Sequence, residues 1–384
     1  MKQKDELKRI AAGLAQLHGH EPECAHQKQE CNGCPLMGLS YEGQLAAKKE
    51  YLGALFGKEV EMEAAPAQFA YRNKADLSYM DGTLGYRRRD DHSENFALGK
   101  CWLLSEKANA TARLTARLLQ KAGIASADVM KRRKGLGYVT IRESRAGEQM
   151  LNFTFFGEID ESAAGICAEL LSSGVQSVNL LLNRTWSDDA HGETVNIFGK
   201  EAIREEILGK EFAIRANTFF QTNAASAERI FGIVRGFVPS GASVLDLYCG
   251  VGTISMAVAE KCGKVLGVEI SGESVAGAKE NAAMNGIRNA EFIAGNVDEV
   301  LKTLPHEFGT VIADPPRSGL NAKTIRRMLR LGPDRIIYVS CNPAMLAQNI
   351  KQIEGFEVTY LRAFDQFPHT GHMEMLCVLE KAGK

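Results

Sequence analysis

The sequence lacks a long hydrophobic run, a secretory leader and an excess of basic residues, and each absence excludes a class of protein. Nowhere in its 384 residues are about 18 apolar residues consecutive, as a membrane-spanning helix requires. The first residues, MKQKDELKRIAAGLAQLHGHEPEC, scatter charges where a signal peptide has its apolar core. A formal net charge of -1 provides no general attraction to nucleic acid. We therefore expect a cytoplasmic globular protein with no membrane partner, in which any contact with nucleic acid is local.

The sequence also lacks repeats and low-complexity segments, which excludes solenoids and linker-built architectures. Residues 1–65 combine a charged amphipathic helix pattern, a cysteine cluster and a second helical pattern that stops at Gly57. Residues 66–212 mix strand patterns such as KADLSYM and QMLNFTFFG with helical stretches, which is typical of an α+β domain. Residues 213–384 include a more regular pattern. We predict three regions with these boundaries.

From about residue 240, short apolar runs alternate strictly with helical patterns. Helical segments follow the runs SVLDLY, KVLGVEI, AEFIAG, TVIADPP and RIIYVSC, and FEVTYLRAF and MEMLCVLEK close the chain. Such alternation indicates an α/β domain with a doubly wound parallel sheet. The last two runs have no helix between them and predict an antiparallel hairpin. We therefore expect a Rossmann-like domain with a seven-stranded mixed sheet.

Ligands of such sheets bind at the carboxyl ends of the strands, so the loops there hold the first candidate residues. In DLYCGVGTISM, Asp246 ends the first strand, and Gly250 and Gly252 permit a tight turn into a helix. Ser255 replaces the third glycine of a dinucleotide motif, whereas Glu269 ends the second strand, where a carboxylate can accept hydrogen bonds from both ribose hydroxyls. The combination resembles Rossmann-like S-adenosylmethionine-dependent methyltransferases, with a nucleotide or NAD site as the alternative.

The loops after the third and fourth strands add further candidates. Asn296 and Asp298 follow the third strand and are positioned to approach an adenine. Asp314 and Arg317 lie in ADPPRSGL, where two prolines stiffen the turn. Asp-Pro-Pro turns also occur in methyltransferases that act on exocyclic amines, so amine methylation is a rival chemistry. Arg317 stands in place of the aromatic residue of that motif, which counts against it.

A cysteine at the end of the fifth strand favours carbon methylation instead. C5 of uracil is a poor nucleophile, but a thiolate added at C6 makes C5 reactive, and a base must then remove the C5 proton. Cys341 in YVSCNPAML and Glu374 in FPHTGHMEML fit the nucleophile and the base. The alternative is a packed core cysteine and a carboxylate at the edge of the sheet.

Nine cysteines in a chain without an export signal favour metal ligation or catalysis over disulfides. Cys24, Cys31 and Cys34 have the spacing C-x6-C-x2-C, and Cys101 in LGKCWLLSE can supply a distant fourth thiolate. Four thiolates suit zinc and a cubane iron-sulfur cluster equally well. Sequence chemistry alone leaves both open.

Together these residues resemble the iron-sulfur-containing RNA (uracil-5-)-methyltransferases, which make 5-methyluridine in 23S ribosomal RNA and in the T-loop of tRNA. The resemblance rests on YRNKA, LGYRRRD, FFQTN, LDLYCGVGTISM, ADPPRSGL, YVSCNP and FPHTGHMEML in the family's order. It implies that S-adenosylmethionine contacts Gln221, Tyr248, Glu269 and Asp314. It also implies that Cys341 is the nucleophile, that Glu374 is the base, and that the four cysteines hold a 4Fe-4S cluster in a structural role.

Many members of the family begin with a β-barrel RNA-binding module of about 60 residues, and too few residues precede Cys24 for one. The chain thus resembles the shorter branch that modifies 23S rRNA, with tRNA as the alternative substrate. RNA contact then falls on the central domain, with Arg72, Asn73, Lys74 and the run 87–89 as candidates. The target uridine is expected to be unpaired or flipped out of a stack. We expect a monomer that does not bind DNA, and keep a non-catalytic iron-sulfur RNA-binding protein as a further alternative.

Overall fold

Two large sheets organise the computed structural model, which describes residues 3–26 and 31–383. Residues 1, 2, 27–30 and 384, which belong to the predicted first and last regions, lie outside the described residues. The described helices are α1 (Gln3–His18), α2 (Tyr41–Phe56), α3 (Glu106–Ala122), α4 (Ala163–Ser172), α5 (Ala224–Phe237), α6 (Thr253–Ala259), α7 (Gly272–Met284), α8 (Val297–Val300), α9 (Ala322–Arg330) and α10 (Pro343–Ile350). No helix in the described ranges has the length and apolar character needed to cross a membrane.

Seventeen strands are described outside those gaps. They are β1 (Glu61–Glu63), β2 (Lys74–Met80), β3 (Thr83–Arg87), β4 (Asn95–Ala97), β5 (Gly135–Glu143), β6 (Gln149–Phe156), β7 (Ser177–Asn183), β8 (Glu193–Gly199), β9 (Ile203–Ile207), β10 (Lys210–Ile214), β11 (Ser243–Leu247), β12 (Lys264–Glu269), β13 (Ala290–Ala294), β14 (Thr310–Ala313), β15 (Arg335–Ser340), β16 (Phe356–Phe364) and β17 (Glu374–Lys381).

The larger sheet has the strand order β1-β16-β17-β15-β14-β11-β12-β13. Strands β11 to β15 are parallel, and β16 and β17 form the predicted antiparallel hairpin. The predicted number of seven strands is wrong, because Glu61–Glu63 adds an eighth strand that pairs in parallel with β16. Three residues with two exposed or half-buried glutamates give no periodic pattern from which that edge strand could be predicted.

The amino-terminal helices pack on one face of this sheet. Leu7 of α1 and Leu52 of α2 belong to the same buried cluster as Leu245 of β11, so the first region shares a core with the last. Helix α2 begins where the Ser40 hydroxyl accepts a hydrogen bond from the amide of Gly43, and it ends at Gly57 with a left-handed φ of 68°. The predicted helix and its predicted end are both present.

The second sheet has the order β4-β3-β2-β5-β6-β7-β8 and carries helices α3 and α4. Its neighbouring strands are antiparallel except for the parallel pair β6 and β7. Buried apolar residues of these strands and of both helices form a separate core. This is the α+β arrangement that the mixed pattern predicts. The short hairpin of β9 and β10 leads from this domain into the larger sheet.

Candidate active site

The parallel strands β11 to β15 bring five predicted site residues to one edge of the larger sheet. Leu247 of β11 pairs with Val268 of β12 and with Ala313 of β14, so the residues that follow these strands come together. A cleft of about 820 Å³ lies at this edge. All seven residues predicted to bind the cofactor or to act in catalysis line it: Gln221, Tyr248, Glu269, Asn296, Asp314, Cys341 and Glu374.

The turn after β11 has the tight geometry that its glycines predict. Gly252 has a φ of 81°, a backbone conformation that residues with a side chain rarely adopt, so any other residue there would be strained. Tyr248 adopts a φ of 65°, which is unusual for a residue with a side chain. Behind the turn, the buried Asp246 accepts a hydrogen bond of 2.6 Å from the Ser255 hydroxyl. Burial raises the pKa of Asp246 to about 7.

Glu269 closes the same side of the cleft. One of its carboxylate oxygens accepts a hydrogen bond from the amide of Ser271 at 2.9 Å, and the other accepts from the amide of Gly250 at 3.3 Å. The carboxylate is therefore fixed at the end of β12, and each oxygen keeps a lone pair for a ribose hydroxyl. The next residue, Ile270, is 68% exposed and lines the cleft, where it offers an apolar surface to a ligand.

Asn296 lines the cleft and caps the N-terminus of α8. Its side-chain oxygen accepts a hydrogen bond from the amide of Asp298 at 2.9 Å, which leaves its NH2 group and one lone pair of the oxygen for a ligand. The carboxylate of Asp298 accepts from the Thr324 hydroxyl at 2.6 Å and from Asn321 at 3.1 Å. The two oxygens of Asp298 thus already tie α8 to α9, which makes Asn296 the better candidate for the adenine.

Cys341 and Glu374 face each other across neighbouring strands. The antiparallel register pairs Ser340 of β15 with Met375 of β17, so the next position along one strand and the preceding position along the other are Cys341 and Glu374. Glu374 is 6% exposed, and its Oε1 has no hydrogen-bond partner among the described residues. Burial and the Asp314 carboxylate raise the pKa of Glu374 well above its ordinary range, and Arg317 opposes this shift.

The thiol is held in its neutral form by the same surroundings. Burial, together with the carboxylates of Glu374 and Asp314, raises the pKa of Cys341 to about 11, and the Arg317 guanidinium opposes the shift. Burial and the nearby Asp246 carboxylate raise the pKa of Asp314 to about 7. The Arg317 guanidinium thus lowers the pKa of both Cys341 and Glu374. From the sequence, Arg317 was a candidate held in the ADPPRSGL turn and a departure from the aromatic motif, and its effect on Cys341 and Glu374 was not predicted.

Gln221 lies in a hydrogen-bonded connection between the two domains. Its side-chain oxygen accepts from Nε2 of Gln366 at 3.2 Å, and its backbone oxygen accepts from the Asn73 side chain at 2.9 Å. Gln366 and the 68% exposed Phe219 also line the cleft but were not predicted, although Phe219 lies in FFQTN and Gln366 directly precedes FPHTGHMEML. A glutamine in a loop and one phenylalanine of a pair give no chemical signal by themselves.

The four predicted cluster cysteines line one small cavity between the first region and the central domain. Cys24 and Cys34 are buried, Cys31 and Cys101 are half-buried, and Trp102 also lines the cavity. Burial and the neighbouring thiols raise the pKa of Cys34. The donor set and its convergence fit a group held by four thiolates. Within residues 3–26 and 31–383, however, no group of three or more His, Cys, Asp or Glu side chains is spaced to hold a metal ion.

The basic residues predicted to contact RNA are engaged within the protein. Arg87 makes two hydrogen bonds of 2.7 Å to Asp188, and Lys74 lies 3.0 Å from Asp76. The Asn73 side chain is committed to the Gln221 carbonyl. Of the neighbouring arginines, Arg88 pairs with Glu94, Arg89 donates to the Cys31 carbonyl, and Arg72 lies near the cysteine cavity. These side chains link structural elements, so phosphate contact has to be sought elsewhere as well.

Comparisons with known proteins identify relatives of this chain. The family model described as tRNA (uracil-5-)-methyltransferase matches residues 40–382. An uncharacterized RNA methyltransferase of Caldanaerobacter subterraneus is 35% identical over 94% of this chain and 85% of its own. A tRNA (uracil(54)-C(5))-methyltransferase of Pyrococcus furiosus is 32% identical over 92% and 84%. The crystal structure of Pyrococcus abyssi tRNA (uracil-54, C5)-methyltransferase with S-adenosyl-L-homocysteine superposes with a TM-score of 0.80 and 30% identity, over 91% of this chain and 86% of that one.

Proposed function

This chain belongs to the tRNA (uracil-5-)-methyltransferase family, and we propose that its substrate is a uridine in the T-loop of tRNA. It is an S-adenosylmethionine-dependent enzyme that methylates C5 of uracil in RNA. Two relatives, from Pyrococcus furiosus and Pyrococcus horikoshii, are tRNA (uracil(54)-C(5))-methyltransferases. From the sequence, 23S rRNA was the favoured substrate and tRNA the alternative. These relatives favour the alternative. The predicted cytoplasmic location and monomeric state stay predictions.

The observation that carries the proposed chemistry is the register that sets Cys341 opposite Glu374. In this mechanism the Cys341 thiolate forms a bond to C6 of the uracil, and C5 then takes the methyl group. The Glu374 carboxylate accepts the C5 proton, the C5=C6 bond reforms, and the bond from C6 to sulfur breaks to return the thiolate. S-adenosylmethionine supplies the electrophilic methyl group. Methylation of an amine would need neither a thiol nor a base in this arrangement.

The upward shifts in the pKa of Cys341 and of Glu374 oppose ionisation of both reacting side chains, so the bound substrate and Arg317 must favour it. The Arg317 guanidinium lowers the pKa of Cys341 and of Glu374 against the larger effect of burial. A negative charge on either group is stabilised by this cation at short range. We assign Arg317 the role of stabilising the thiolate before attack and the carboxylate before proton removal.

We assign different residues of the cleft to different parts of S-adenosylmethionine. Glu269 has the fixed carboxylate that ribose hydroxyls require, and Ile270 provides an apolar surface beside it. Asn296 extends the same wall towards the adenine. Gln221, Tyr248 and Asp314 line the same cleft, and we assign them to the remaining part of the cofactor.

We further propose that Cys24, Cys31, Cys34 and Cys101 bind a 4Fe-4S cluster, as the resemblance implies. The convergence of four thiols from distant parts of the chain on one cavity supports this. Protein purified without oxygen should contain about four irons and four sulfides per chain, and one zinc ion per chain would contradict the proposal. A Cys34→Ser variant should lose the metal, whereas Cys167→Ser, in the core of the central domain, should keep it.

The substrate is tested by methyl transfer to unmodified tRNA and to 23S rRNA, with the product mapped by mass spectrometry. We expect 5-methyluridine in the T-loop of tRNA, and none with Cys341→Ala. Methylation of 23S rRNA but not of tRNA would contradict the proposed substrate and favour 23S rRNA instead. Methylation on an exocyclic amine, or full activity of Cys341→Ala, would contradict the proposed chemistry.

A further inference from the structure

A second cleft, of about 330 Å³, opens next to Cys341. It shares Cys341 and Arg317 with the cleft described above and no other lining residue. Its remaining walls come from α1, from the loop that carries Cys31 and Cys34, from Asn342, and from residues 370–372 just before Glu374. The nucleophile therefore lies where the two clefts meet.

The walls of the second cleft are fixed against each other. Nε2 of Gln3 on α1 donates a hydrogen bond of 2.9 Å to the carbonyl of Gly371. A Cβ atom at Gly371 would lie 3.2 Å from Cδ1 of Leu7, so the helix packs closely on a residue without a side chain. On the other wall, the guanidinium of Arg317 lies 3.0 Å from Nδ1 of His372. The shape of the second cleft is therefore defined by direct contacts between the amino-terminal helix and the loop that leads to Glu374.

The charge of the second cleft suits an anion. None of its described lining residues is acidic, although the chain contains 47 Asp and Glu residues. Lys8 of α1 and Arg317 contribute positive charge, and the exposed Asn32 contributes an amide. A uracil bound at Cys341 with its methyl donor in the first cleft must extend its ribose and phosphates away from that donor. The second cleft is an opening at Cys341 that lies apart from the methyl-donor residues of the first.

We propose that the second cleft binds the unpaired nucleotides next to the target uridine. In this arrangement Lys8 contacts a phosphate, Asn32 contacts the edge of an unpaired base, and Arg317 lies between the flanking phosphate and the reacting thiol. Phosphate contacts hold an RNA in register, whereas edges of unpaired bases carry sequence information. The inference rests on the proposed RNA methylation and assigns the amino-terminal helix to substrate binding.

The first test measures RNA affinity in a Cys341→Ala background, so that no covalent bond forms. With an unmodified tRNA transcript, Lys8→Glu should weaken binding about tenfold and lower the slope of log K against log salt by about one. Lys49→Glu changes an exposed lysine of α2 outside the cleft and should stay within twofold. The affinity for S-adenosyl-L-homocysteine should not change in either variant. Equal RNA affinity of the Lys8 and Lys49 variants would overturn the proposal.

The second test locates the flanking nucleotides by cross-linking. With 4-thiouridine placed one or two positions from the target, we expect cross-links to peptides that contain residues 3–8 or 31–36. Cross-links confined to the central domain would overturn the proposal. Failure of this assignment can be distinguished from failure of the proposed RNA methylation. If the methylation itself were wrong, the wild-type protein would neither make 5-methyluridine nor form an adduct with 5-fluorouridine RNA.

Discussion

The Nζ atom of Lys48 lies 2.5 Å from Oδ1 of Asp365, and both side chains are fully buried. Lys48 belongs to α2, whereas Asp365 begins the segment that leads to Glu374. The same ammonium group donates to the carbonyl oxygens of His372 at 3.1 Å and Phe367 at 3.4 Å. Burial of a charge is unfavourable, and the pKa of Lys48 is lowered accordingly. The pair therefore anchors the catalytic loop to the amino-terminal region.

Removing one partner of this pair should cost more stability than removing both. Lys48→Met leaves the Asp365 carboxylate buried without its cation, and we expect a loss of about 3–5 kcal/mol in the free energy of unfolding. The double variant Lys48→Met, Asp365→Leu should recover most of that loss. Methyl transfer should nevertheless fall about tenfold or more, because the loop carbonyls lose their donor. Urea unfolding and initial rates measure the two effects, and a stable, fully active double variant would show that the pair does not position the loop.

Glu374→Gln should separate methyl transfer from product release. The amide cannot accept the C5 proton, so attack by Cys341 and methylation can proceed while the bond from C6 to sulfur stays intact. Denaturing gels with a labelled methyl donor should reveal a protein–RNA adduct that carries the label. Glu380→Gln, at the other end of the same strand, should turn over normally. A Glu374 variant that releases methylated RNA at the wild-type rate would assign the base to another group.

Arg317→Met should make Cys341 less reactive without affecting a distant thiol. The guanidinium lowers the pKa of Cys341, so its loss should slow alkylation by iodoacetamide at pH 8 by about two- to tenfold. Cys262 provides a control in the same molecule, because burial raises its pKa to about 11 as well and Arg317 has no part in that shift. Peptide mass spectrometry measures both rates. Equal slowing at the two cysteines would indicate a general structural change instead.

The larger sheet and most of the candidate site could be predicted because their signals are local. Strict alternation of apolar runs and helical patterns determines the parallel strands, and parallel strands place their following loops at one edge. Glu269, Asp314 and Cys341 were predictable for this reason. Their meeting with Glu374 also depends on the antiparallel return of β17, which the missing helix before it indicates.

What could not be predicted depends on contacts between distant segments. Strand β1 is too short for a periodic signal and exists because β16 offers it an edge. Arg87 and Lys74 were predicted to contact RNA, yet their partners Asp188 and Asp76 become neighbours only in the folded sheet. A run of basic residues looks the same in the sequence whether its side chains are solvated or paired with carboxylates. The sequence alone therefore cannot distinguish the two cases. The second cleft is likewise formed by residues more than 300 positions apart, such as Leu7 and Gly371.

The buried carboxylate of Asp246 should make stability depend on pH in a defined direction. Burial raises its pKa to about 7 in the folded protein, compared with about 4 for an exposed aspartate. Between these values the folded state binds more protons than the unfolded state, so the free energy of unfolding should fall as the pH rises from about 4 to 7. The contribution of this group is up to about 4 kcal/mol over that range and levels off above pH 7.

Asp246→Asn removes this titration while keeping an oxygen that can accept the Ser255 hydroxyl. The free energy of unfolding of the variant minus that of the wild type should therefore be larger at pH 8 than at pH 5. Asp314 should also regain a more ordinary pKa, because the Asp246 carboxylate contributes to its upward shift. Chemical unfolding at several pH values compares the two proteins. Parallel stability curves from pH 4 to 8 would mean that Asp246 is ionised throughout, with its charge compensated inside the fold.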